Sequence, residues 1–328
     1  MKKNVAFTAL LITAILALNF LACKRAQEPE KPWEWSLDKV ESLVGRARAG
    51  KDLTPESWPG GAKVAVGLSF DFDAETNALR DNNISPGLFS QGEYGARTAI
   101  PRILDLLDGY NIAASFFVPA VSALLHQKEI MAIVDKGRHE IGIHGWIHER
   151  NSLLSEEEER KLMKKSFETL KEITGKAPVG IRTPSWDFSL STLKIIRELG
   201  LLYDSSLMAD DRPYEILEDG NPTGVIELPV EWLLDDYPYF GFSRYTSVRP
   251  HITPMDVFTI WAAEFEKAYE EGTVFILTMH PKITGHRSRI MMLEELIQHM
   301  LSFGDVWFAT HEQIARYVKE NVLRPGKE

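Results

Sequence analysis

Residues 63–70 read KVAVGLSF, and the next five are Asp71-Phe72-Asp73-Ala74-Glu75. The first stretch is a short, largely apolar run without the polar alternation of a half-exposed strand, so it reads as a buried strand. A strand buried on both faces needs helices to cover it, and the chain downstream alternates accordingly. Residues 94–110 set Ile100, Ile103, Leu104 and Leu107 at helical spacing, and 113–118 (AASFFV) read as the next strand. A helix over 121–136 stops at Gly137, and 139–143 form a third strand. Ser155 and Glu158 have the spacing of a capping box and open a helix over 155–173 that ends at Gly175. Strands follow at 179–181, 225–228, 273–278 and 306–308. Helices follow at 190–199, from Thr253-Pro254 onward, at 291–303, and at 310–319 behind Thr310 and Gln313. The alternation spans about 260 residues, the size of one (β/α) barrel. The expected class is α/β, a distorted (β/α) barrel of about seven parallel strands with its active site at their C-terminal ends. A doubly wound sheet is the alternative, but no GxGxxG or P-loop follows a predicted strand.

Upstream of the first strand the chain changes character. Lys2 and Lys3 precede an apolar stretch over 5–22, which stops at Ala22-Cys23. This pattern predicts a signal peptide over 1–22, and it resembles a bacterial lipobox in which Cys23 becomes a lipidated N-terminus. The chain is then expected to be exported and held on a membrane through that lipid. An uncleaved anchor and an ordinary secretory signal are the other readings. Residues 23–59 read as the lipidated Cys and a polar, Pro-containing tether, with a short helix from Leu37 to Gly50 and with Trp33, Trp35 and Trp58 packing onto the main domain. The barrel is expected over 60–322 and a tail over 323–328. Of the 328 residues, 44% are hydrophobic and 26% charged, which excludes a mainly disordered chain. Cys23 is the one cysteine, so neither an intramolecular disulfide nor a cysteine-based zinc site can form. The net charge of −10 argues against a nucleic-acid partner.

The candidate chemistry sits where predicted strands end. Asp71, Asp73 and Glu75 crowd three carboxylates into five residues, which is costly without a cation nearby. His144 and His148 are four apart; in one helical turn both imidazoles would face a common metal. Glu149 is a candidate to orient one of these ligands. Arg182 precedes Thr183-Pro184 and could grip a carboxylate. His280 follows the strand at 273–278. In a barrel these separate strand ends converge on one face.

These motifs resemble the polysaccharide deacetylase family, carbohydrate esterase family 4, over roughly 63–317. The matching stretches are Asp71-Phe72-Asp73, His144-Gly-Trp-Ile-His148, Arg182-Thr-Pro184 and Leu277-Thr-Met-His280. Their form is nearest the branch that holds allantoinase-like amidohydrolases and some peptidoglycan deacetylases. Three departures stand out: Phe72 inserted between the acids, Gly145 where many members have Ser or Thr, and no clear Asp/Trp motif, for which Trp186 and Asp187 are the nearest candidates. The resemblance implies a divalent metal, zinc in the first instance with Co²⁺ or Ni²⁺ open, bound by Asp73, His144 and His148. It implies Asp71 as general base, Arg182 as its holder and His280 as the acid for the leaving amine, hence a bell-shaped pH profile. Trp186, Trp232, Asp211 and Glu149 are candidate substrate contacts. His286, Arg287 and Arg289 either meet an anionic group or form a solvated loop, and Tyr237, Tyr239 and Phe240 are candidates for a groove wall. The expected activity is hydrolysis of a C–N amide bond, foremost deacetylation of an N-acetylated envelope sugar. A carbohydrate or small amide is thus the expected substrate. A cyclic amide or ureide hydrolase and a non-catalytic envelope carbohydrate-binding protein are the alternatives.

Overall fold

The computed structural model describes residues 30–242 and 252–323. The expected signal peptide, Cys23 and the tail beyond Leu323 lie outside the described residues. The chain divides into two units, Met1–Val44 and Gly45–Glu328. In the first, a short turn at Pro32–Glu34 precedes the helix Leu37–Val44. Trp33 is 79% exposed, and Lys39 lies over the Trp35 ring, 4.6 Å from its centre. The expected helix to Gly50 therefore stops early.

The second unit is built on one curled, mostly parallel sheet, ten-stranded among the described residues. Its strands are β1 (Arg48–Asp52), β2 (Val64–Asp71), β3 (Ser115–Val118), β4 (Glu140–Ile143), β5 (Gly180–Ile181), β6 (Tyr203–Asp204), β7 (Tyr214–Glu218), β8 (Asn221–Glu227), β9 (Val274–Met279) and β10 (Val306–Phe308). Strands β3, β4, β5, β6 and β8 follow β2 in parallel order, while β9 and β10 also pair parallel with β2. A parallel bridge from Asp235 to Thr278 ties the segment after β8 to β9 and curls the sheet toward closure. The expected barrel of about seven parallel strands is met by eight among the described residues, and the sheet adds two antiparallel strands. β7 enters antiparallel to β8, and β1 antiparallel to β7. The β7–β8 hairpin turns on Asp219-Gly220, both left-handed at φ 50° and 77°, a pairing that suits a tight two-residue loop. β1, with the sequence RAGKD, has no apolar pattern because it is an exposed edge strand.

The pleat of β2 explains how the sheet aims the site. Successive side chains point to opposite faces. Val64, Val66, Leu68 and Phe70 belong to the large core that includes helix residues such as Ile100, Leu104 and Trp261. Ala65 belongs to the second core, with Phe117, Tyr203, Ile276 and Ile314. Its face-mates Gly67, Ser69 and Asp71 follow at the same spacing. Gly67 is small of necessity, since a Cβ there would meet Ile276 at 2.8 Å and His311 at 3.2 Å. The helix His311–Val318, capped by Thr310 and Gln313 as expected, thus packs close to the strand. Trp58 lies 1% exposed beside Trp307 and Tyr317, and its indole donates to the Gly272 carbonyl at 3.2 Å.

Candidate active site

The same pleat carries past the end of β2. Phe72 is fully buried in the helix-side core, so Asp71 and Asp73 fall on the opposite side together. The residue inserted between the acids is therefore what lets both point one way. Ala74 then turns the chain at φ 49°, and Gly92 packs so tightly on it that a Cβ would lie 2.4 Å from the Ala74 carbonyl carbon.

His144 and His148 follow β4, but not in a helical turn. Gly145 (φ 75°) and His148 (φ 63°) are left-handed, and the intervening loop brings the two rings to 5.0 Å. Glu149 shapes this loop by accepting from the backbone N–H of Trp146 at 2.9 Å and of Ile147 at 2.8 Å. It orients the loop backbone rather than an imidazole. His144 donates from Nδ1 to the Arg182 carbonyl at 2.7 Å, leaving Nε2 to face Asp73 Oδ1 at 3.5 Å. His148 Nε2 faces the same oxygen at 3.7 Å.

Asp73, His144 and His148 offer one donor atom each, all within 4.8 Å of one another and all buried. Asp73 Oδ1 and His144 Nε2 have no hydrogen-bond partner. Two orphaned polar atoms facing each other away from water are costly unless a cation joins them, so these residues fit a metal. Burial alone would raise the Asp73 pKa, but Lys282, His148, His280 and His144 hold it far below the usual carboxylate range. Lys282 Nζ lies 3.3 Å from Asp73 Oδ2. Burial keeps the His148 pKa low, the state a ligand needs. Its Nδ1 faces Arg80 Nη1 at 2.8 Å, so the neutral ring carries its hydrogen on Nε2 until Arg80 yields. Arg80 also reaches the His148 carbonyl at 3.3 Å, which gives it an alternative acceptor.

Arg182 is fully buried and uses every N–H. It donates to Asp71 Oδ1 and Ser69 Oγ at 2.8 Å, to Ser205 O and Oγ at 3.0 Å, and to His311 Nε2 at 3.3 Å. Its guanidinium also lies 4.3 Å from the Phe117 ring centre. Ser69, Ser205 and His311 escaped the sequence reading. Only the i, i+2 spacing of Ser69 and Asp71 on β2 hinted at the first.

His280 is held from the far side. Asp236 accepts from its Nδ1 at 2.7 Å, from its backbone N–H at 2.9 Å and from Thr284 Oγ1 at 2.6 Å. Asp235 Oδ1 lies 3.6 Å from the same nitrogen, and His280 Nε2 lies 3.8 Å from Asp73 Oδ2. Burial pulls the imidazole pKa down, but Asp235, Asp236 and Asp73 outweigh it and raise the value to about 10. Burial pushes Asp235 up to about 7, further raised by Asp236 and restrained by His280. Asp235, Asp236 and His280 could also hold a metal by position, but ion pairing already satisfies them. Both acids were missed; an adjacent Asp-Asp pair was the available signal.

The remaining candidates separate. Trp186 is buried and its ring centre lies 4.1 Å from that of Trp232, which is 46% exposed. Asp187 accepts from Ser152 N–H and Oγ. Asp211 is not brought to the site. It lines a small cavity of about 110 Å³ with Glu264 and residues 273–276, the start of β9 rather than the end that carries His280. Beside the centre lies a cleft of about 690 Å³, bordered by Ala74, Tyr94, Tyr237, Phe240, Lys282 and Arg289. Tyr237 and Phe240 thus form the expected wall, whereas Tyr239 packs against Trp261.

The profile of the family described as Polysaccharide deacetylase matches residues 88–203. A peptidoglycan deacetylase of Helicobacter pylori is 31% identical over 284 residues, 79% of this chain and 97% of the relative. The chain belongs to the polysaccharide deacetylase family. The chain has that family's curled (β/α) barrel and is an enzyme of the deacetylase type, acting on carbon–nitrogen bonds. A candidate polysaccharide deacetylase from Mycobacterium smegmatis superposes with TM-score 0.75 at 35% identity, covering 86% of this chain and all of that one. Puue allantoinase superposes with TM-score 0.69 at 27% identity, covering 84% of this chain and 96% of the other.

Proposed function

We propose that this deacetylase-family enzyme is metal-dependent and removes the acetyl group from an N-acetylated sugar of the cell envelope. The observation that carries the reading is the buried cluster of Asp73, His144 and His148, with two orphaned donor atoms, set between the Arg182–Asp71 pair and the Asp236–His280 pair. Asp73, His144 and His148 would hold a divalent cation, zinc being the best match to two imidazoles and a carboxylate. When bound, the cation supplies polarisation of the amide carbonyl and eases ionisation of water. Asp71 takes the proton from the attacking water. Arg182 holds that carboxylate in its charged form and fixed direction. Water oxygen bonds to the acyl carbon and the C–N bond breaks. His280, protonated and steadied by Asp236, delivers its proton to the departing nitrogen, so that a neutral amine and acetic acid leave, the acid then losing its proton to water to become acetate.

The sugar substrate draws support from the Helicobacter pylori relative's name and from the exposed Trp232 ring backed by Trp186, a surface on which a sugar ring can stack. Export and a lipid on Cys23, read from residues 1–23, belong to the same proposal. The structural likeness to Puue allantoinase favours one second reading, a cyclic ureide substrate. The test is acetate release by the zinc-loaded chain from N-acetylglucosamine oligomers and peptidoglycan fragments, beside a panel of ureides and cyclic imides. Acetate release supports the proposal. Turnover confined to the ureide panel transfers the assignment, and turnover of neither with bound zinc overturns both.

A further inference from the structure

The cleft beside the metal cluster has a charge pattern that a neutral acetylated sugar does not use. Lys282 and Arg289 both border it, with His286 between them in sequence. His286 stacks on Tyr94, ring centres 4.0 Å apart, and burial lowers its pKa. Lys282 faces Asp73. The cleft's own acid, Asp81, is already spent in a two-pronged pair with Arg80 at 2.9 Å.

Arg289 is different. Its side chain is partly buried, and its guanidinium lies 5.4 Å from the Phe240 ring centre. Among the described residues it makes no ion pair and no hydrogen bond to a protein acceptor. Asp236 is the acid nearest in influence, but its oxygens are taken by His280 and Thr284. A guanidinium carries five donors in a planar fork suited to a carboxylate. Drawn partly out of water without one, it bears a desolvation cost that an anionic ligand would relieve.

We propose that Arg289 is an anion subsite of the substrate cleft, so that the enzyme acts on N-acylated sugars bearing a carboxylate. The inference rests on reading the adjoining cluster as the place where the amide is cut. The acyl amide lies at the centre and the carboxylate lies against the Arg289 fork, with Lys282 adding positive potential between the two. Phe240 supports the guanidinium plane and limits its rotamers. Arg289 determines specificity; it moves no proton.

The test uses the full chain and two probes, N-acetylmuramic acid and its methyl ester, which differ by one negative charge. Calorimetry gives the affinity of each for the wild type and for Arg289→Met, which removes the guanidinium and keeps an unbranched stem. The wild type is expected to bind the acid about tenfold more tightly than the ester, and Arg289→Met to erase that ratio. Equal affinities in the wild type, no binding of the acid, or a ratio that survives Arg289→Met would each overturn the subsite. Acetate release from the same probes forms a separate arm. With acetate released, Arg289→Met is expected to raise KM for the acid about tenfold and leave that for the ester unchanged. An acid-selective ratio in binding without any acetate would keep the subsite and overturn the deacetylase reading instead.

Discussion

Asp236→Asn gives the most informative perturbation of the proton-handling half of the site. The variant keeps the side-chain shape but removes the charge 2.7 Å from His280 Nδ1. Raising the imidazole from 6.5 to about 10 corresponds to about 5 kcal/mol in favour of the charged ring, net of burial. Asp235, Asp236 and Asp73 share that work, and Asp236 makes the shortest contact. Losing its charge should lower the His280 pKa by about 1.5. The assay is the titration of the His280 ring resonances by NMR in metal-free wild type and variant. Stability gives a second readout with a fixed sign. A folded-state pKa raised above the unfolded one contributes stability that is complete below about pH 6.5 and fades as pH climbs through about 10. Asp235, raised to about 7, shifts stability in the same direction over lower pH. Denaturant melts of the wild type should therefore weaken from neutral to alkaline pH, and the variant should lose less over that range. A wild-type His280 that titrates near 6.5, or an Asp236→Asn variant that titrates where the wild type does, would refute the reasoning.

Other expectations follow from the same geometry. Arg182→Met strands Asp71 beside an apolar stem and should cost about 3–5 kcal/mol in denaturant melts, with activity lost; a change under 1 kcal/mol would contradict the buried pair. Arg80→Met removes the donor that keeps the His148 hydrogen on Nε2, so zinc affinity by calorimetry should rise about tenfold, whereas weaker binding would mean that Arg80 supports the ligand. Ser185 has φ 56°, so Ser185→Gly should raise stability by about 1 kcal/mol, and a loss would show that its Cβ contacts outweigh the strain.

The parts legible in the sequence are those carried by local spacing. The buried run of β2, the capped helices at Ser155 and Thr310, and the pairs Asp71–Asp73 and His144–His148 all rest on residues a few positions apart, and the two pairs meet because each follows a strand end of the same sheet. Residues that act by meeting distant partners were opaque. Ser69, Ser205 and His311 come from separate segments to saturate Arg182, and no periodicity links them. Asp235 and Asp236 reach His280 across 44 residues or more. The histidine pair shows the limit of spacing itself. An i, i+4 interval suggested a helix, but left-handed Gly145 and His148 bring the rings together in a loop. Asp211 lies away from the centre, at the cavity beside the start of β9; an acid in a loop looks available wherever the loop goes.

The central claim is that one buried cluster binds a metal and that Asp71, beside it, activates water for amide hydrolysis. The most direct measurement pairs zinc content with acetate release in Asp71→Asn, for the full chain acting on peptidoglycan fragments. The account predicts one zinc per chain in both wild type and variant, with acetate release slowed at least about a hundredfold in the variant alone. A zinc-loaded Asp71→Asn chain that releases acetate at the wild-type rate would contradict it.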